Sequence, residues 1–285
     1  MGIKSRIFVG LAKTGFNLRF FIARMTHIEP IGKFIEKSFF DEDRMIYLPK
    51  DCVAEKALTK TVTVNINKSF AQESVVLPSQ IVEHLIRNSR YHFLMNFCLC
   101  REANHCNNYP KEYGCLFLGK GAMRIDRKFG RPVSADEAIN HIRKCREAGL
   151  VHLIGRNKID AVVFDTGRKE ELLSICSCCP CCCLWKMLPD LNAEISSAVT
   201  RMSGVTVTVT DACSGCGLCI DKKICFVGAH VMENGKVRID QSKCRGCGRC
   251  VEFCPSKAVE IRIDDPYFFE KSVDKIEQLV DLKAE

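Results

Sequence analysis

Two cysteine runs near the C-terminal end constrain this chain more than anything else in it. The first is Cys213-x2-Cys216-x2-Cys219 with Cys225 behind it, and the second is Cys244-x2-Cys247-x2-Cys250-x3-Cys254-Pro255. A turn with thiols at i, i+3 and i+6 reaches three corners of an iron–sulfur cube, so a fourth thiolate must come from elsewhere in the chain. Eight thiolates at these spacings are the ligand set for two [4Fe-4S] clusters. Gly215, Gly217, Gly246 and Gly248 lie between the ligands, where the backbone needs angles that other residues resist and N–H groups must approach sulfur. A structural zinc site fits less well, because these triplets crowd three thiolates closer together than paired C-x2-C knuckles do.

With those residues in view, positions 204–264 closely resemble the bacterial dicluster ferredoxins. In that family the fourth cysteine of each run crosses over to the other cluster. The resemblance therefore implies cluster I on Cys213, Cys216, Cys219 and Cys254, and cluster II on Cys244, Cys247, Cys250 and Cys225. It also implies single-electron steps, with potentials set by burial, N–H···S hydrogen bonds and solvent access. The first half departs from the family pattern, with five residues before Cys225 instead of three and Phe226 where proline is expected. Val205–Val209 and Val259–Ile263 read as outer strands. Val237–Ile239 is expected to pair with the segment around Ala229–Met232 across Asn234-Gly235, a strong hairpin signal.

Ten more cysteines cluster upstream. Cys98, Cys100, Cys106 and Cys115 form a loose block, and Cys176, Cys178, Cys179, Cys181, Cys182 and Cys183 put six thiols into eight residues. Surplus thiols at that density oxidise unless they are occupied. Adjacent cysteines in an extended chain point to opposite sides, so one metal or cluster cannot collect all six of the second block. The candidate roles are one or two further iron–sulfur clusters, which the sequence favours; zinc on Cys98, Cys100, Cys106 and Cys115; a catalytic site or thiol relay with an open iron position; or inert packing. Arg101 reads as a hydrogen-bond donor to cluster sulfur or as an ordinary surface arginine. His105 and His152 also lie near the cysteines in sequence, and His152 reads first as a satisfied core histidine. Cys52 and Cys145 stand alone and read as ordinary buried residues. The whole plan is loosely similar to uncharacterised Cys-rich dicluster proteins of anaerobes, which have a C-x-C-Arg run, a Gly-Leu-Val-His segment and a dense cysteine block ahead of the ferredoxin part.

Composition bears on compartment and partners. The chain has 285 residues, 47% of them apolar, enough for more than one core. The cysteine spacings are those of metal ligands, not of a disulfide framework, and no cleavable signal is evident, which suggests a reducing cytoplasm. The formal charge of +8 is not read as a nucleic-acid surface. Each four-thiolate cluster carries about two negative charges, so the basic excess balances the metal sites. Five of the cations, Lys4, Arg6, Lys13, Arg19 and Arg24, fall within residues 1–28, which contain no acid. At 100° per residue, positions 3–25 read as an amphipathic helix with Ile7, Leu11, Leu18, Ile22 and Met25 on one face. Such a helix can pack on its own core, lie on an anionic membrane surface at the inner face, or dock on a partner.

The expected fold is α+β: a basic amphipathic segment over 1–40, a Cys-rich α+β module over 41–189, a connecting helix over 190–203, a dicluster ferredoxin domain over 204–264 and a C-terminal helix over 265–285. Within the module, Thr61–Ile66, Leu150–Ile154 and Ala161–Phe164 read as strands. A helix is expected after Pro78 with Ser79 as its cap and Ile81, Val82, Leu85 and Ile86 inward, and another after the capping box Ser134-Ala-Asp-Glu137. Several motifs fail. Gly114–Gly121 nearly matches a phosphate loop but lacks the Ser or Thr for magnesium, and no G-x-G-x-x-G, radical-SAM triplet, Ser-His-Asp set or H-E-x-x-H helix is present. The reading that remains is an electron carrier to a partner oxidoreductase. Its alternatives are an oxidoreductase subunit with a catalytic cluster or thiol/disulfide site in the Cys-rich module, and a metal-handling protein.

Overall fold

The computed structural model describes residues 2–65 and 76–284. The fold is α+β. Its centre is a seven-stranded sheet in the order β4-β2-β3-β6-β5-β1-β7, formed by Arg44–Tyr47 (β1), His92–Met95 (β2), Leu116–Leu118 (β3), Gly130–Pro132 (β4), Val151–Arg156 (β5), Leu173–Cys178 (β6) and Val199–Arg201 (β7). All neighbours are antiparallel except β1 and β7. Side chains alternate across the sheet. Leu116 and Leu118 of β3 join the larger core, with Ile81, Leu85 and Ile142, while Phe117 between them joins a smaller core with Val9, Ala161 and Phe164.

The helices that cover the sheet are Ile3–Thr14 (α1), Arg19–Met25 (α2), Glu29–Ile35 (α3), Asp51–Asn65 (α4), Pro78–Asn88 (α5), Leu99–Ala103 (α6), Ala135–Glu147 (α7), Lys158–Val163 (α8) and Ala193–Ser197 (α9). The amphipathic reading of α5 holds, with Ile81, Val82, Leu85 and Ile86 all buried. Its cap lies two residues earlier than expected, at Leu77, with Pro78 opening the helix and the Ser79 N–H donating to Asp51 instead. The capping box of α7 forms as read, Ser134 and Glu137 satisfying each other's backbone N–H groups.

Four sequence expectations are corrected. Thr61–Asn65 belongs to α4, not to a strand, and Ile66 lies outside the described residues. Ala161–Phe164 falls at the end of α8, where the Asn157 side chain accepts the Ile159 N–H and starts a helix that overrides the β-branched preference. The connecting helix over 190–202 is only α9, followed by β7, which joins the main sheet beside β1. The basic N-terminal segment is broken at Gly15 into α1, a short 3-10 turn and α2, so it is not one continuous helix. Ser5, Val9, Phe16, Arg19 and Ala23 face the protein, while Ile7, Leu11, Leu18 and Ile22 face outward. No helix among the described residues is long and apolar enough to cross a membrane.

The C-terminal part adds two small antiparallel pairs. Val205–Val209 (β8) pairs with Val259–Ile263 (β11), and His230–Glu233 (β9) pairs with Lys236–Ile239 (β10) across Asn234-Gly235, as the sequence suggested. Short helices Leu218–Asp221 (α10) and Arg249–Phe253 (α11) follow the second glycine of each cysteine run. The closing helix Phe268–Glu277 (α12) is shorter than expected and buries Phe268, Val273 and Ile276.

Candidate iron–sulfur sites

The eight C-terminal cysteines gather into two groups of four. Cys219 lies within electrostatic reach of Cys216, Cys254 and Cys213, and Cys250 within reach of Cys247, Cys244 and Cys225. These neighbourhoods are compatible with the two crossed sets that the resemblance implies. The backbone repeats as well: the Ala229 N–H donates to Cys225 Sγ at 3.3 Å, and the Ala258 N–H donates to Cys254 Sγ at 3.4 Å, each four residues after the thiol it serves. Gly215 must be glycine, since at φ +70° a Cβ would sit 2.1 Å from the Gly235 carbonyl oxygen. Burial raises the thiols of Cys219, Cys225, Cys244 and Cys250 above the ordinary range, and neighbouring cysteines add to the rise. Bare thiolates so crowded repel one another. A cationic iron core relieves that repulsion and the desolvation together, so the donor set fits the group.

The two departures of the first half have visible places. The extra residues between Cys219 and Cys225 are taken up by α10 and a left-handed turn at Lys223, φ +50°. Phe226, in the position of the expected proline, is buried and packs against Tyr47 of β1 with ring centroids 5.1 Å apart.

The upstream cysteines divide in a way the sequence did not show. Strand β6 turns Ser174, Cys176 and Cys178 to one face, where the Ser174 hydroxyl donates to Asp160 of α8, and turns Ser177 to the other, beside His152. Six thiols then belong to one chamber, and a seventh, Cys179, borders it. Cys98, Cys100, Cys115, Cys176, Cys178 and Cys183, with Cys179, line a cavity of about 440 Å³ bordered by α1 and α2, whose walls include Phe164, Trp185 and Leu191. Cys115 and Cys176 are 3.8 Å apart, and the Tyr47 hydroxyl is 3.7 Å from Cys183 Sγ. The Cys183 thiol is lowered to about 7, chiefly by hydrogen bonding with Cys178, and helped by the Tyr47 hydroxyl and the Arg249 charge. Cys179 also meets Cys106, Cys181 and Cys182, which do not line the chamber, in a second group. Cys106 is thus not grouped with Cys98, Cys100 and Cys115, as the zinc reading of the first block required.

Arg101 is fully buried, which corrects its surface reading. It donates to the carbonyls of Ser177, at 2.8 Å, and of Tyr113, so it pins β6 to the loop before Cys115. Burial alone would lower its guanidinium, but the surrounding Cys98, Cys179, Cys115 and Cys178 raise it above the usual arginine range. His152 is a core histidine held neutral: burial, with Arg146 and His141 nearby, lowers it to about 3. His105 occupies a left-handed turn after α6. Cys145 is buried as expected, while Cys52 is exposed and its thiol donates to Glu252 at 3.0 Å. Tyr47 and Arg249 were not singled out in the sequence, and Phe226 only as a departure from the expected proline.

Comparison with known proteins agrees with this geometry. Residues 237–260 match the 4Fe-4S binding domain family. The chain is 33% identical over 81 residues to the indolepyruvate oxidoreductase subunit IorA of Archaeoglobus fulgidus, covering 28% of this chain and 11% of that one. It is 46% identical over 50 residues to a subunit of the ion-translocating oxidoreductase complex of Methanosarcina acetivorans, 18% of each chain. The chain therefore spans under a fifth of the length of these relatives. No solved structure matches it. The C-terminal part is thus a ferredoxin-type, 4Fe-4S-binding segment, which the chain shares with these oxidoreductase subunits.

Proposed function

We propose that this chain relays single electrons between a partner oxidoreductase and an iron–sulfur site in its own Cys-rich module. Two [4Fe-4S] clusters would be held by Cys213, Cys216, Cys219 and Cys254, and by Cys244, Cys247, Cys250 and Cys225. When bound, each supplies a one-electron couple. One observation carries the relay reading: the inner four cysteines and the six-thiol chamber are joined by a continuous packed contact. Arg249, one residue before Cys250, donates to the Cys178 carbonyl and lies over the Phe226 ring, while Phe226 packs on Tyr47 and Tyr47 touches Cys183. Apolar packing there excludes water between the two thiol sets. The matched relatives are oxidoreductase subunits, which supports a protein partner at the outer face, where Cys216 is exposed.

Anaerobic protein should contain about eight iron and eight sulfide from the ferredoxin-type part, and about twelve of each with one cube in the chamber. Iron fixed at eight would remove the chamber cluster. Colourless protein, EPR-silent after dithionite, would remove the whole reading.

A second reading, that the chamber is catalytic, is favoured by its size and by the acid on its wall. Burial raises the Asp160 carboxyl to about 6 against the hydrogen bonds from Ser174 and Asn157, a range suited to proton donation near neutrality. A small thiol or other ligand that perturbs the EPR of one cluster, and fails to do so in Asp160→Asn, would favour this reading over simple relay.

The outward row of Ile7, Leu11, Leu18 and Ile22, with Lys4 and Arg24 nearby, supports docking through residues 1–28 at an anionic membrane surface. Replacing Ile7 and Leu11 with Asn should cut sedimentation with anionic vesicles by roughly 100-fold or more, at about 1.5–3 kcal/mol per apolar side chain withdrawn, and leave iron content unchanged. Unchanged sedimentation would leave a protein partner as the occupant of that face.

A further inference from the structure

Besides the six thiols of the chamber there are four more upstream cysteines, of which Cys179 also borders the chamber, and these converge from two distant parts of the chain. Cys106 comes from the loop after α6, with its N–H bonded to the Arg101 carbonyl at 2.9 Å. Cys179, Cys181 and Cys182 come from the turn that follows β6. Because the chain turns at Pro180–Cys182 and is not extended there, the neighbours Cys181 and Cys182 point to the same side, which an extended chain would forbid. Cys106 Sγ is 3.6 Å from Cys181 Sγ, and Cys181 Sγ is 3.5 Å from Cys182 Sγ. All four sulfurs lie within 4.8 Å of one another. The Cys182 N–H also donates to Cys179 Sγ, at 3.3 Å.

These separations identify the kind of occupant. Four thiolates around one tetrahedral ion with metal–sulfur bonds of about 2.3 Å stand roughly 3.8 Å from each other. The corner thiolates of a cube stand farther apart, because each projects outward from its own iron. We propose that Cys106, Cys179, Cys181 and Cys182 hold a single thiophilic divalent ion, zinc or ferrous iron, in a closed tetrathiolate site distinct from any cluster in the protein. With four protein ligands the ion has no open position, so its role is to staple the α6 loop to the β6 turn. That staple bears directly on the chamber, because Cys98 and Cys100 lie at the start of α6 on one side and Cys178 and Cys183 flank the turn on the other. The site does not depend on the chamber holding a cluster.

The test uses anaerobically purified full-length protein. Elemental analysis should find one metal equivalent beyond the iron matched by acid-labile sulfide. Its X-ray absorption should show four sulfurs at about 2.3 Å and no short metal–metal vector. Zinc is recognised at its own absorption edge, and mononuclear ferrous iron by its high-spin Mössbauer signature; either supports the site. The double variant Cys106→Ser/Cys181→Ser should lose that one equivalent and keep its cluster iron and sulfide. Loss of about four iron with four sulfide would overturn the proposal in favour of a cube, and so would unmodified protein in which all metal is matched by sulfide. Should the double variant fail to fold, the zinc-edge spectrum or the high-spin ferrous Mössbauer signature of the unmodified protein decides the question, and the absence of both overturns the proposal.

Discussion

The two halves of the ferredoxin-type segment share a Cys-x2-Cys-x2-Cys triplet and an N–H···Sγ contact on the fourth cysteine, and differ in what packs around them. Position for position, Leu218 after Gly217 corresponds to Arg249 after Gly248, Asp221 to Glu252, and Phe226 to Pro255. Leu218 is 39% exposed; Arg249 is buried against the Cys178 carbonyl. Cys216 of the outer set is exposed and only Cys254 of that set packs against the main core, whereas Cys244, Cys247, Cys250 and Cys225 all do. The difference shows how a duplicated binding motif specialises. Ligand geometry fixes the cysteines and glycines in both copies, and the residues between them are free to make one copy a contact for solvent and partner and the other a seat on the module.

The sharpest way to break that comparison is to remove one ligand from each set. Cys216→Ala should lose iron from the outer site and leave the melting temperature of the rest nearly unchanged. Cys247→Ala should lower it by on the order of 10 °C, because crowded, desolvated thiols lose the cation that compensates them inside a packed core. Equal losses in the two variants would mean that the seating is not asymmetric. Next in size is the aromatic seat itself. Phe226→Ala should cost about 3–4 kcal/mol in anaerobic denaturant unfolding, the usual penalty for emptying a buried phenylalanine site. Pro255→Ala, its counterpart, should cost under about 1 kcal/mol.

The ferredoxin-type half was legible in sequence because its determinants are local. Ligand spacing, the Asn234-Gly235 turn and the alternation of Val205–Val209 each act within a few residues of their effect. The same holds for the Ser134 capping box. The seat was not legible, since Phe226 acquires its meaning only when β1 brings Tyr47 beside it from a distant part of the chain. The division of the upstream thiols was hidden for the same reason: it depends on where α6 meets the turn after β6. That the row of Ile7, Leu11, Leu18 and Ile22 turns outward was not legible either, because a helical wheel groups residues on a face without saying which face packs. Cys52 reads as buried from its residue type, yet an acid on α11 holds it at the surface.

A smaller effect separates the charges in the two halves. Burial lowers the Arg249 guanidinium while Cys247, Tyr47, Cys178 and Cys183 raise it, with a net rise, so it stays cationic beside the inner set. Reduction adds negative charge there. Arg249→Leu should therefore lower the inner potential by tens of millivolts in an EPR-monitored redox titration, Arg249→Lys should recover much of it, and Leu218→Arg in the solvent-facing half should change little.

The smallest effect is the ion pair that ties α11 to the module. Burial opposes ionisation of Glu252, but the Lys50 ammonium and the Cys52 thiol donate to it, and its carboxyl lies below the ordinary glutamate range. With the folded value depressed, the stabilisation is fully present above the unfolded value of 4.5 and is lost as pH falls through the folded one. Glu252 is about 40% exposed at its side chain, so solvent screening limits the pair to under about 1 kcal/mol. Lys50→Met should accordingly unfold slightly more easily than the parent at neutral pH, and the gap should narrow with added salt and close towards about pH 4. If Lys50→Met and the parent unfold identically at neutral pH, charge does not hold the seated half, and the aromatic contact alone accounts for the seating.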